Sequence, residues 1–195
     1  TKNATPEAAK IAIEAGMTDL GENRVQELQN KYSRLDGICN WHLIGHLQRN
    51  KVKYIVDKVK LIHSVESLEL VKELQLRAAD INRVMDILVQ INVSGEESKT
   101  GLRPEDTLSF LKEISCCTNI KVRGLMTMAP YTENPESVRW VFKGLKQLAL
   151  DITANKIHNI NMDFLSMGMS NDFEKAIEEG SNIVRIGSSI FGKPL

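Results

Sequence analysis

The sequence has little with which to build a metal site, a disulfide framework or a membrane span. Its three cysteines, Cys39, Cys116 and Cys117, are odd in number and two are adjacent, which gives neither a disulfide framework nor a C-x-x-C spacing. Reduced thiols in a cytoplasmic protein are the expectation. The four histidines, His42, His46, His63 and His158, are scattered, and His42 and His46 flank Gly45 rather than sharing a helical face. A zinc ligand set is therefore missing. No apolar run approaches membrane-spanning length, so no membrane partner is expected. Excess charge is absent too: Lys plus Arg equals Asp plus Glu at 25 each. A protein that neutralises nucleic-acid phosphates needs a surplus of Lys and Arg on one face, so nucleic acid is not an expected partner.

What remains is an ordinary globular chain of 195 residues, 42% hydrophobic and 26% charged, enough for one domain spanning 1–195. Its organising stretch lies near the end. Phe164-Leu165-Ser166-Met167-Gly168-Met169-Ser170 and Val184-Arg185-Ile186-Gly187-Ser188-Ser189 each begin as an apolar strand and open into Gly and Ser. Such junctions leave backbone N–H groups free to hold a phosphate.

The rest of the chain alternates. Thr5 caps a helix over 6–15 with Pro6 in its first turn and Gly16 as its stop. Strands are expected at 17–20, 41–45, 60–65, 85–93, 122–128, 162–165 and 182–186. Helices are expected at 24–32, 48–57, 67–79, 104–116, 135–154 and 172–179. The run from Met85 to Val93 is apolar nearly throughout, as a strand buried on both faces should be. Thr1-Lys2 reads as the last of a further strand, with an upstream helix and most of that strand expected before it. Eight such units point to a closed (β/α)8 barrel, with an open doubly wound sheet as the alternative.

Working residues of such a barrel lie at the C-terminal ends of the strands. Here those are Lys2, Asn23, His42, Ser64, Asn92, Met126, Ser166 and Arg185. The set has no paired carboxylates for glycosidase chemistry and no nucleophile elbow. It does have one lysine across the ring from one arginine. A partly buried lysine near a phosphate cradle suggests pyridoxal 5'-phosphate, since imine formation needs a neutral amine. On spacing alone other phosphate ligands stay open. His42 reads as a packed or hydrogen-bonded residue, and the basic stretch 49–60 as a solvated outer face.

Six blocks carry a resemblance over essentially the whole chain: Gly21-Glu22-Asn23-Arg24-Val25-Gln26-Glu27, 41–51 (WHLIGHLQRNK), 90–101 (QINVSGEESKTG), 124–128 (GLMTM), 165–170 (LSMGMS) and Arg185-Ile186-Gly187. The chain resembles the pyridoxal phosphate homeostasis protein family, whose fold is like the alanine racemase barrel. That resemblance implies that Lys2 is the Schiff-base lysine for pyridoxal 5'-phosphate. It implies Arg185 facing the pyridine nitrogen, Ser170, Gly187 and Ser188 on the phosphate, Ser166 steadying Arg185, and Asn23 near the ring or its 3'-oxygen. The family usually continues Thr-Lys-Pro, whereas here Asn3-Ala4-Thr5 precede Pro6.

An arginine at the ring nitrogen stays protonated and leaves the ring a weaker electron sink, which suits cofactor holding or racemisation over transamination. The resemblance implies cofactor homeostasis without turnover, since members of the family bind the cofactor without established enzymatic activity; a monomer is expected, with apo-enzymes that use the cofactor as recipients. A single-domain amino-acid racemase is the alternative. Racemases of this type take a second base, a tyrosine, from an extra domain of a partner subunit; the chain stops at Leu195, and Tyr32, Tyr54 and Tyr131 show no sign of that role. A phosphometabolite barrel without an imine is a third reading.

Overall fold

The computed structural model describes residues 1–97 and 99–192. Ser98 of the 90–101 block, and residues 193–195 of the expected domain, lie outside the described residues.

Seven strands form one parallel sheet in sequential order: β1 (Asp19–Glu22), β2 (Asn40–Leu43), β3 (Val59–Val65), β4 (Met85–Gln90), β5 (Ile120–Met126), β6 (Ile160–Met169) and β7 (Ile183–Arg185). The helices between them are α1 (Pro6–Glu14), α2 (Val25–Leu35), α3 (Leu68–Asp80), α4 (Pro104–Ile114), α5 (Arg139–Ala154), α6 (Phe173–Glu178) and the short α7 (Ser188–Phe191). Thr5 and Ser67 cap α1 and α3 through their side-chain oxygens, satisfying N–H groups of the first turn.

The sheet curls into a near-closed barrel. His63 on β3 is hydrogen-bonded to Ser166 on β6 at 2.9 Å. In a flat sheet those strands would stand about 14 Å apart, three interstrand spacings. One side of the strands packs Leu43, Ile62, Ile87 and Leu125 on the helices in the main core. The other encloses a smaller apolar layer, Leu61, Leu88 and Met126 with Phe164 and Ile183. Below that layer Arg123 bridges Asp86 and Asp163 at 2.8 Å each.

Several expectations are corrected. Seven strands form among the described residues, not eight: Thr1-Lys2 makes no strand, although Thr1 N donates to Gly21 O at 2.6 Å, beside β1. The stretch 48–57 folds as a 3-10 helix over Arg49–Tyr54 rather than an α-helix. The segment Ser166–Met169, read as a loop, is strand, paired to β5 at Met126 and to β7 at Ile183 and Arg185. The long 135–154 helix begins with a 3-10 turn over Pro135–Val138.

Glycine at position 124 is required by close strand approach. A Cβ there, at φ +152°, would lie 1.9 Å from the Phe164 carbonyl oxygen. Among the described residues no helix is long and apolar enough to cross a membrane.

Candidate functional site

Two groups of side chains stand at the C-terminal ends of the strands. The first surrounds Lys2. Ala4 N–H closes a turn onto Thr1 C=O at 3.0 Å, and Asn3 takes the left-handed conformation at φ +64°, which asparagine tolerates. This turn presents Lys2 to a cleft of about 340 Å³, shared with Asn3, Asn23, Arg24, Glu27, Gly45 and His46. Lys2 is exposed, not partly buried as expected, and among the described residues its ammonium has no hydrogen-bond or ion-pair partner. Asn23 directly follows β1, and Gly45 after β2 touches its backbone: a Cβ on Gly45 would lie 2.4 Å from Asn23 O. A larger hollow, about 470 Å³, lies over Lys143, Gly144 and Glu179, on the helical layer rather than at the strand tips.

Beneath Lys2 is a buried ion pair that the sequence reading missed. Lys31 on α2 and Glu22 at the tip of β1 are bonded to each other; both are buried, and Lys31 Nζ also donates to Thr1 O at 2.8 Å. Thr1 Oγ1 donates to the same Glu22 oxygen. The residue before Lys2 is thus tied to both members of the pair. Among the described residues Glu22 Oε2 has no partner.

The second group centres on Arg185. Its guanidinium donates to Ser166 O at 2.8 Å, Ser166 Oγ at 2.7 Å and Thr127 O at 2.8 Å. None of these partners is a carboxylate. Burial pulls the guanidinium down to about 10, with Asp172 opposing, so it remains a cation at neutral pH. Beside it, Gly187 N–H and Ser189 N–H converge on Ser170 Oγ at 3.2 and 3.4 Å. Ser188 is exposed, and among the described residues it is Ser189, not Ser188, whose N–H joins Ser170. Among the described residues a Cβ built on Gly187 would meet nothing within 4 Å, so open space adjoins the Gly187 α-carbon.

The other strand-tip residues serve the scaffold. Asn92 ties its own loop, with Nδ2 donating to Glu96 O and Lys99 O and Oδ1 accepting from Gly95 N. Ser64 donates to Gly45 O at 2.6 Å, and Met126 belongs to the inner apolar layer. His42 points inward, its Nδ1 3.0 Å from His63 Nε2. Sequence reasoning missed His63; the available signal was a polar His63-Ser64 pair directly after apolar Leu61-Ile62 and before Val65.

Burial pushes both imidazoles down. His63 falls well below the usual histidine range, with His42 and Arg185 adding to the effect; His42 falls less because Asp19 opposes it. Both are therefore neutral in the fold near pH 7 and regain a value near 6.5 on unfolding. Below pH 6.5 the unfolded chain binds more protons, so stability is full above that pH and drops as pH falls through it. The slope is at most about 1.4 kcal/mol per pH unit for each imidazole. Thermal unfolding between pH 7.5 and 5 should show a falling midpoint, and His63→Phe should flatten the slope. An unchanged slope would contradict these assignments.

Parallel strands, alternating helices and polar groups gathered at the strand tips define a class. The chain belongs to the alanine racemase N-terminal domain family, whose model matches residues 4–194. Within that class it is similar to the pyridoxal phosphate homeostasis protein of Aquifex aeolicus, 46% identical over 194 residues, covering 99% of this chain and 84% of that one. PipY of Synechococcus elongatus, solved with PLP bound, superposes with a TM-score of 0.89 at 31% identity, covering 98% of this chain and 89% of that one. Alanine racemase of Clostridium difficile shares the fold, with a TM-score of 0.80 at 16% identity, over 96% of this chain and 48% of the racemase.

Proposed function

We propose that this chain is a single domain that binds pyridoxal 5'-phosphate and takes part in its homeostasis, with Lys2 as the covalent anchor. The observation that carries this reading is a half-buried Arg185 that, among the described residues, bonds Ser166 and Thr127 rather than a carboxylate, beside a turn whose Gly187 and Ser189 N–H groups gather on the Ser170 hydroxyl. That donor set fits a phosphorylated pyridine. When bound, the cofactor supplies an aldehyde carbon open to amine addition and an electron-withdrawing ring. Lys2 offers an accessible amine on the cleft that also holds Asn23. Arg185 would face the ring nitrogen; it donates only and accepts no proton from that atom. Ser166 would steady Arg185, while Ser170, Gly187 and Ser188 would hold the phosphate, joined by Ser189. Asn23 would meet the ring or its 3'-oxygen.

The relatives support holding over turnover, since they are named for homeostasis rather than for a reaction. Recipients of the cofactor would be apo-enzymes that use it, and the chain would act as a cytoplasmic monomer.

Titration of the protein with pyridoxal 5'-phosphate and with pyridoxal, followed by visible absorbance, tests the reading. One equivalent of the phosphate ester should bind with a new visible band. Pyridoxal, lacking the anion, should bind about a hundredfold or more weakly, equivalent to about 2.7 kcal/mol. Equal binding of the two aldehydes, or none of either, would contradict it. Exchange of the α-proton of alanine in deuterated water by the loaded protein would favour a racemase instead.

A further inference from the structure

The Ser166 hydroxyl accepts from Arg185 Nη1 at 2.7 Å, and an arginine can only donate. The hydroxyl hydrogen is then free to point elsewhere, and His63 Nδ1 lies 2.9 Å away. His63 must accept there and carry its proton on Nε2. That nitrogen is 3.0 Å from His42 Nδ1, which accepts in turn and leaves the His42 proton on Nε2. His42 Nε2 lies 3.1 Å from Asp19 Oδ1, an ion-pair distance off hydrogen-bond alignment.

The line crosses the barrel from β7 through β6, β3 and β2 to β1, and every donor in it points away from Arg185. Opposite polarity is disfavoured. It would place two donors on Ser166 Oγ and leave the hydroxyl hydrogen without an acceptor among the described residues. Of the three Arg185 partners, two are backbone carbonyls fixed by the sheet. Ser166 Oγ is the one that can rotate, and His63, itself 1% exposed, decides its direction. Asp19, at the other end, is half-exposed and held by Thr18 and Asn40.

We propose that His63 and His42, backed by Asp19, are positioning residues for Arg185. Acting through Ser166, they lock the guanidinium in one orientation and set the polarity it presents to the cofactor. The second effect rests on the reading that Arg185 faces the ring nitrogen; the first does not.

Nitrogen-15 NMR of the imidazoles in cofactor-free protein at pH 7.5 tests the lock. Both His42 and His63 should carry the proton on Nε2, by about ten to one or more. In Ser166→Ala the lock is released, and the Nδ1–H form of His63 should appear. Absorbance titration with pyridoxal 5'-phosphate tests the consequence. His63→Phe should shift the visible maximum and weaken binding about tenfold. His63→Gln, whose amide oxygen can still accept from Ser166, should restore most of both and guards against a folding defect. A proton on His63 Nδ1 in the native protein, tautomers unchanged in Ser166→Ala, or a native band and affinity in His63→Phe would each overturn the proposal. If the native protein takes up no cofactor while its tautomers are as expected, the lock stands and the cofactor reading fails.

Discussion

Replacing Lys31 by methionine should destabilise the fold by about 3–5 kcal/mol, because it strands the Glu22 carboxylate without its counter-charge. Glu22 is fully buried, and among the described residues one of its oxygens already lacks a partner. Total stabilities of about 5–15 kcal/mol make this a large fraction. Urea denaturation of Lys31→Met, Glu22→Leu and the double variant would separate the penalty of an orphaned charge from the worth of the pair. Each single change should be costly, and the double variant should recover much of the loss, because two apolar residues leave no charge to desolvate. Strictly additive losses would contradict this. A functional corollary follows from geometry. Lys31 holds the Thr1 carbonyl at 2.8 Å, so the double variant should be folded yet hold the Lys2 turn loosely.

Lys2→Ala should abolish covalent cofactor retention while leaving the fold intact, since Lys2 is exposed and among the described residues its ammonium has no hydrogen-bond or ion-pair partner. The groups around Arg185 and Ser170 are untouched by the change, so weak non-covalent binding should persist. We expect affinity to drop by at least about a hundredfold, or roughly 2.7 kcal/mol, with loss of the visible band. Unfolding should be unaltered within about 0.5 kcal/mol, as for most surface substitutions. A Lys2→Ala protein that keeps the native band would mean that another amine carries the cofactor.

Much of this fold was legible because local signals agreed with the global pattern. Thr5-Pro6 and Ser67 announced helix starts that the structure caps, and the apolar run at Met85 announced a strand buried on both faces. The misreadings have physical causes. Ser166 and Gly168 look like loop residues, yet they are strand because neighbours on both sides supply ladder partners and Arg185 and His63 satisfy the serine. The stretch from Arg49 to Tyr54 has helical composition, but it closes as a tight 3-10 segment around buried Val52. At the site, strand tips could be read from alternation alone. The contact between His63 and Ser166 could not: it joins residues 103 apart in sequence and exists only once the sheet curls. The Glu22–Lys31 pair was hidden likewise, because a lysine on a helix face ordinarily reads as solvated.

The most direct test is to load the native protein with pyridoxal 5'-phosphate, reduce it with borohydride, digest it and map the modified peptide by mass. Attachment of the phosphopyridoxyl group to Lys2, and to no other lysine in stoichiometric yield, is the expected result. A label on another residue, or protein that loses the cofactor after reduction, would contradict it.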